Sequence, residues 1–558
     1  MYITERHLLF SGIAFLLYLR YIVNRTEKEV FFVALISIIE DFHPLGDARL
    51  LNRAEQLRPP LRHRICEPVG GFRLKERYSP EKNEIVLDQI PHLSMGKGEN
   101  LCLDFGEHLV GYLTLELSYS GSHPDAPAFL KLKFAETLQE LSENSQGYDG
   151  WLSRSWIQEE YVHVDLLPAK LKLPRRYAFR YLKITMMDTS QKYKLIVRHA
   201  ECRTETSADW SVVKPLKSGD ELFDRIHAVS LRTLADCMQE EFEDGPKRDR
   251  RLWVGDLRLM ALTNSISFRN YDLVKRCLYL FSGSRFPDGR VSAAVFTKPA
   301  PEADDTYLFD YALLYVVTLE EYLQDTGDTE ALNDLYDIAM QQVEYALRQL
   351  DSSGVVRQET VKDCFIDWCD ELDKSACATA VLLYALRYAR RLARRRNDWS
   401  QANWLLQQYD ALRSAAMAQF WSEEQQCFVS NGQISAASQA WMVLADVVPP
   451  ELAKKAMQRA VALTGEPRMA TPYMHHYYVM ALLRTGMREE AEHHLKHYWG
   501  GMIEAGADTF WEYWDEEHPD RSPYGGHMVD SFCHAWSCTP AFIIERYFLN
   551  TQNEGELA

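Results

Sequence analysis

The stretch EFEDGPKRDRRLWVGD, Glu241 to Asp256, holds five carboxylates and four cationic side chains around a Gly-Pro pair, with a Trp near its end. On composition alone a mixed-charge run of this kind is a solvated loop. Other stretches of the C-terminal half also set acids beside aromatic rings: PEADDTYLFDY (301–311), DCFIDWCDELD (363–373), TPYMHHYY (471–478), GADTFWEYWDEEHPD (506–520) and DSFCHAWSCTP (530–540). Such clusters suit a sugar, whose C–H face stacks on indole while its hydroxyls bond to acids, His and Arg. Glycoside hydrolysis then needs two carboxyl groups, one a protonated acid and the other a base or nucleophile. Glu512, between Trp511 and Trp514, is a costly place for a charge without a task.

Each cluster also has a plainer reading, because acids followed by Trp serve as helix caps and packing. His475/His476 and His493/His494 read as surface or core pairs, and His534 is evenly placed between packing and pocket. The chain has no Gly-rich phosphate loop and no H-E-x-x-H, so nucleotide and zincin chemistry are not expected. Eleven cysteines, scattered singly, fit reduced thiols better than a disulfide framework. Cys364/Cys369 and Cys533/Cys538 lack zinc-ribbon spacing, so no metal is expected.

These clusters need elements to position them. Up to about residue 205 the pattern has period two: Leu101, Leu103 and Phe105, then Leu113, Leu115 and Leu117, and again in 128–134, 161–166, 181–187 and 194–200. That predicts an antiparallel β-sandwich over 1–205. The aromatic, polar stretch 147–160 is unlike a sheet and is expected to reach toward a neighbouring domain. From about residue 218 the period is helical. Segments at 221–238, 257–268, 271–281, 306–324, 331–350, 375–394, 401–420, 436–445, 451–463, 472–485, 488–498 and 531–548 predict a dozen helices on short loops. Alternating hairpins of that number close as an (α/α)6 barrel, here placed at 206–550 with a short tail at 551–558. The loops at one end would then form one large cleft.

A formal charge of −18 argues against a nucleic-acid or anionic-membrane partner. The basic run Arg390 to Arg396 reads as the solvated end of a helix. The apolar stretch His7 to Val23 is broken by Arg20 and followed by no small-residue cleavage site, so it reads as β-rich core and the default compartment is the cytoplasm.

In combination the motifs resemble the α-L-rhamnosidases of glycoside hydrolase family 78. The family pattern D-C-P-x-R, running on to G-W-x-G-D, is similar to Asp244-Gly245-Pro246-Lys247-Arg248 and Trp253-Val254-Gly255-Asp256. Its G-A-T-T-x-W-E-x-W-D is similar to Gly506 through Asp515. Asp367-Trp368, Ser438 through Trp441, Thr471-Pro472-Tyr473 and Ser531 through Trp536 are smaller echoes, and Leu103 to Tyr112 resembles the family's D-F-G strand. The resemblance implies inverting hydrolysis of terminal α-L-rhamnosyl residues from a glycan or glycoside, without a cofactor. It implies Asp249 as general acid and Glu512 as general base. Asp244, Arg248, Asp256 and Asp367 would hold the sugar, and Trp253, Trp368, Trp511 and His534 would line the pocket. Two departures stand out. The family has Glu where this chain has Asp249, which withdraws the carboxyl by ~1.5 Å. Members also commonly continue into a C-terminal β domain, whereas this chain ends at Ala558 and is expected to be a shortened form.

The acid must stay protonated, so Arg248, Arg250 and Arg251 are expected to pair with Glu241, Glu243 or Asp244, or with substrate, rather than with Asp249. The two carboxyls are expected ~6.5–9.5 Å apart, leaving room for a water. Two other readings stay open. One is an (α/α)6 hydrolase or lyase acting on uronic acids, with Arg248 or Arg250 exposed to the substrate carboxylate. The other is a carbohydrate-binding pseudoenzyme that has lost its acid. The oligomeric state is left open.

Overall fold

The structure is a computed structural model that describes residues 42–74, 83–361, 363–465 and 467–549. The apolar stretch His7 to Val23 and the tail 551–558 lie outside the described residues. Among those described, no helix is long and apolar enough to cross a membrane.

The N-terminal half is an antiparallel sheet. Its main path runs β1 (Arg62–Cys66), β6 (Tyr193–Thr206), β2 (Asn100–Gly121), β5 (Tyr177–Asp188), β3 (Ala128–Ala135) and β4 (Glu159–Val164). The period-two reading holds: β2 is one long strand pairing Leu103 with Leu182 at one end and Leu117 with Val197 at the other. Leu101, Leu103, Phe105, Leu113, Leu115 and Leu117 all enter a single apolar core with Leu130, Leu132, Phe134 and Ile184. Even-numbered residues of β2 face the other way. Among them His108 is fully buried against the C-terminal half. Between β3 and β4 lies the short helix α2 (Leu138–Ser142), started by a capping box of Thr137 and Glu140. An earlier helix, α1 (Ala48–Gln56), packs not on this sheet but on the helical half.

The C-terminal half is helical: α3 (Glu221–Cys237), α4 (Val254–Ile266), α5 (Tyr271–Gly283), α6 (Phe309–Thr326), α7 (Thr329–Leu347), α8 (Ser375–Arg395), α9 (Trp399–Phe420), α10 (Ala436–Leu444), α11 (Pro450–Val461), α12 (Pro472–Arg484), α13 (Arg488–Glu504) and α14 (Pro540–Ile543). Their starts are written in the sequence. Asp220, Asn270, Asp328, Asp398, Ser435 and Thr471 each accept a first-turn backbone N–H, and Pro450, Pro472 and Pro540 begin their helices. Helices α4, α6, α8, α10 and α12 pack consecutively side by side, with the alternate helices behind them. Composition decides which lie inside. Helix α6 is buried at nearly every position from Phe309 to Glu320, whereas α9 buries only the stripe Ala402, Leu405, Leu412, Ala416 and Phe420.

Two element boundaries correct the reading from periodicity. Helix α4 begins at Val254 rather than Leu257, which puts Asp256 in its first turn. The expected helix over 531–548 is helical only from Pro540. Residues 531–539 are an irregular segment threaded through the site, with one short turn at Ala535–Ser537. Its backbone is committed elsewhere: His534 N–H donates to Phe510 O, Ala535 N–H to Asp244 O, and Ser531 O accepts from Glu512 N–H. All eleven cysteines are buried and unbridged.

Candidate active site

Two irregular segments cross at the ends of α3 and α4. In the first, residues 244–251 close a tight loop, with Asp244 N–H donating to Arg251 O and Arg251 N–H to the Asp244 carboxylate. The loop turns on two left-handed residues, Asp249 at φ 63° and Arg250 at φ 52°. That conformation is unfavourable for side chains other than Gly, Asn and Asp, and it concentrates at functional sites. The second segment, 507–537, brings Glu512 and His534 against this loop.

Arg248 is the hub. Its Nε donates to Val529 O at 2.9 Å, its Nη2 pairs with Glu512 Oε2, and its Nη1 lies 3.7 Å from Asp249 Oδ1. The two candidate catalytic carboxyls are therefore spanned by a single guanidinium. Glu512 Oε1 accepts from the Tyr524 hydroxyl at 2.7 Å. His534 sits among the acids, its ring nitrogens 3.9 Å from Asp244, 3.8 Å from Asp256 and 3.7 Å from Glu512. Asp256 accepts from the Tyr311 hydroxyl through Oδ2. Its Oδ1 and the His534 Nδ1 are buried without a hydrogen-bond partner among the described residues.

Burial dominates the electrostatics. It pushes Asp244 well above the usual carboxylate range, aided by the charges of Asp249 and Asp256. Asp256 is pushed the same way by burial and by Glu512. Glu512 is also raised by burial, against the pull of Arg248 and the Tyr524 hydroxyl. Burial and the neighbouring Arg248 hold His534 well below its ordinary value, so its ring is neutral. Burial thus raises the proton affinity of Asp244, Asp256 and Glu512 alike, the kind of perturbation that marks sites of acid–base chemistry.

The expected partners of the flanking arginines differ from those found. Arg250 donates to Arg176 O, Arg251 reaches Asp304, and Arg248 alone stays at Asp249. Glu241 and Glu243 are already used, the first accepting from Thr297 and the second paired with Arg176. Arg250 is turned to a backbone carbonyl and Arg248 is held on Glu512.

Trp253 stands edge-on to Tyr311, and Trp368 stands edge-on to Tyr524 and Trp536, making an aromatic wall. Asp367 is placed differently. Its carboxylate accepts from Ala470 N–H, Thr471 N–H, the Thr471 hydroxyl and Trp368 N–H, so it clamps its loop to the start of α12. Burial lifts it to about 6. Trp511 packs against Trp514 and Phe532. His475 and His476 are core residues, with His475 stacked on Tyr498 and bonded to His494.

The stretch 147–160 does reach the other half: the Tyr148 hydroxyl donates to Tyr524 O and Trp151 Nε1 to Pro523 O. Reading by spacing missed Tyr524, Tyr311, and the buried pairs of Lys247 with Glu140 and Glu136. Tyr311 ends a stretch singled out for its acids, but nothing in the turn-like SPYGGH marks Tyr524. Among the described residues, His108, Asp236 and Cys533 form a buried group of metal-ligand types with ligand atoms within 4.8 Å of one another. Both His108 nitrogens are already bonded, to Asp236 at 2.8 Å and Glu136 at 3.0 Å. That is the environment of an imidazolium between two carboxylates.

The profile described as the bacterial alpha-L-rhamnosidase 6 hairpin glycosidase domain matches residues 213–547, and the glycosyl hydrolase family 78 alpha-rhamnosidase N-terminal domain matches 76–204. An alpha-L-rhamnosidase of Streptomyces avermitilis is 24% identical over 450 residues, covering 75% of this chain; the chain spans 39% of that relative's length. A rhamnosidase from Klebsiella oxytoca, solved with rhamnose bound, is 43% identical and superimposes with a TM-score of 0.88 over 90% of this chain and 99% of that one. The family 78 rhamnosidase of Bacillus sp. GL1 shares the fold at 21% identity and a TM-score of 0.68, over 80% of this chain and 46% of its own. The chain belongs to the bacterial α-L-rhamnosidases of glycoside hydrolase family 78.

Proposed function

We propose that the protein is an inverting α-L-rhamnosidase that releases terminal α-L-rhamnosyl residues from glycans or glycosides. Its site would lie at one end of an (α/α)6 barrel spanning 206–550, preceded by a β-sandwich over 1–205 and followed by a tail at 551–558. The consecutive packing of alternate helices supports the barrel. The convergence of both ends of β2 on one core supports the sandwich. Asp249 protonates the glycosidic oxygen as the C1–O bond breaks. Glu512 takes a proton from a water that attacks C1 from the opposite face, so that β-L-rhamnose is the first product. Asp244, Asp256 and His534 hold hydroxyls, and Trp253 and Trp368 line the pocket.

The observation that carries this reading is Arg248, which is paired with Glu512 and, against expectation, also lies 3.7 Å from Asp249, so that both candidate carboxyls stand at one guanidinium. The shorter Asp249 arm is presented by a left-handed turn. The rhamnose in the 43%-identical Klebsiella structure favours the same sugar. Purified protein should hydrolyse p-nitrophenyl α-L-rhamnopyranoside with the β anomer appearing first by NMR. Glu512→Gln should lower kcat by ~10²–10⁴-fold. Asp249→Asn should do the same on a poor leaving group and much less on p-nitrophenol, which departs without protonation. A first-formed α anomer, or full activity in Glu512→Gln, overturns the assignment.

A further inference from the structure

Glu512 is fixed by two groups, and one ring controls both. The Tyr524 hydroxyl donates to Glu512 Oε1 at 2.7 Å, while the Arg248 guanidinium that holds Oε2 lies 4.3 Å from the centre of the Tyr524 ring. Tyr524 itself is only 1% exposed. What seats it comes largely from the sheet half. Its carbonyl accepts from the Tyr148 hydroxyl at 3.0 Å, and the Pro523 carbonyl accepts from Trp151 Nε1 at 3.2 Å. The Trp151 ring lies 5.3 Å from the Tyr524 ring. The Glu143 carboxylate accepts from His527 and Met528 N–H just beyond.

The two backbones meet at a pair of glycines. A Cβ on Gly150 would fall 1.9 Å from Tyr524 O, and one on Gly525, which has φ 84°, would fall 2.9 Å from Gly150 Cα. Only chains without side chains at both points can approach so closely.

We infer that Tyr524 is a positioning residue for the general base, and that the sheet-half loop Tyr148–Trp151 sets it through the Gly150–Gly525 contact. The N-terminal half is then a working part of the catalytic centre. The inference rests on the assignment of Glu512 as base made above.

The consequence is electrostatic as well as geometric. Glu512 is faced by Arg248, Tyr524 and the neutral His534, with the charges of Asp249 and Asp256 nearby. A hydrogen bond to a carboxylate favours its ionised form. Removing the Tyr524 hydroxyl leaves burial and two neighbouring acids to raise the proton affinity of Glu512. A base works only above its pKa, so the acid limb of the rate profile moves to higher pH.

The test is kcat and kcat/KM against pH on p-nitrophenyl α-L-rhamnopyranoside for the full chain and its variants. Tyr524→Phe keeps the ring under Arg248. It should lower kcat ~10-fold or more, leave KM within ~3-fold, and move the acid limb up by roughly one pH unit. Gly150→Ala should move the limb in the same direction although it touches neither substrate nor Glu512. The double variant should lose less than the two single losses combined, because the clamp is left with only the ring under Arg248 to transmit through. Tyr148→Phe, which deletes one hydroxyl, should give a smaller shift of the same sign and serves if Gly150→Ala does not fold. An unmoved limb in Tyr524→Phe, or fully additive effects in the double variant, overturns the inference. If Glu512→Gln is inactive in that experiment, the failure is of the positioning role alone. If Glu512→Gln is active, the underlying assignment of the base has failed.

Discussion

Asp256 and His534 show what a single buried atom can report. Asp256 Oδ1 and His534 Nδ1 lie 3.8 Å apart, both buried and neither bonded among the described residues. Buried polar atoms are almost always satisfied, so an unsatisfied pair among the acids of the site points to a ligand's hydroxyls. Asp256→Ala should weaken L-rhamnose binding about 10–100-fold by titration calorimetry, the range for hydrogen bonds to charged groups. Unchanged affinity would remove Asp256 from the sugar site. At this scale spacing alone marks Glu512 between two Trp residues and leaves His534 open, while the family resemblance supplies Asp244, Arg248, Asp249 and Asp256; the structure sets all six close together. Spacing could not separate Asp367 from that group, because an acid before a Trp looks the same whether it holds a sugar or caps a loop. Nor could it find Tyr524, whose role depends on where a turn is seated by a distant part of the chain.

Among the elements, the short helix α2 has an effect beyond its length. Its capping box orients Glu140, whose Oε1 takes backbone N–H groups of 136 and 137 while Oε2 meets Lys247 Nζ at 2.5 Å. Glu136 adds a second carboxylate at 3.4 Å, and its Oε2 also accepts from Phe532 N–H. Lys247 is the residue before Arg248, so a sheet-half helix pins the acid loop from behind. Removing one partner of a fully buried ion pair leaves the other unpaired. Lys247→Ala should cost ~3–5 kcal/mol in denaturant unfolding, and adding Glu140→Gln should recover part of it. A loss below ~1 kcal/mol would mean that the pair is idle. Most helices were legible because each couples a 3.6-residue apolar period to a cap or a proline. The segment 531–539 was not. It carries the apolar residues of a helix, but its N–H groups are taken by Phe510 and Asp244, partners that lie far off in the chain.

For the whole molecule, period two followed by period 3.6 divides the chain where the two family profiles divide it, at about residues 204–213. What periodicity did not show is how tightly the halves interlock. His108 of β2 is bonded to Asp236 at the end of α3, Arg176 to Glu243, Lys247 to Glu140, and Tyr148 to the Tyr524 carbonyl. The cysteines turn this interlock into something that can be timed. Cys66, Cys102 and Cys202 are buried in the sheet half, and Cys277, Cys364 and Cys377 among others in the helical half. Burial pushes the Cys102 and Cys277 thiols up to about 12, so neither can react with an alkylating reagent until its surroundings open. Each thiol is therefore a native clock for opening at a known place. If the halves open as one unit, peptides bearing Cys102 and Cys277 should gain iodoacetamide label at the same denaturant concentration by mass spectrometry. Label on Cys102 while Cys277 stays protected would show that the sheet can let go of the site while the helices remain folded.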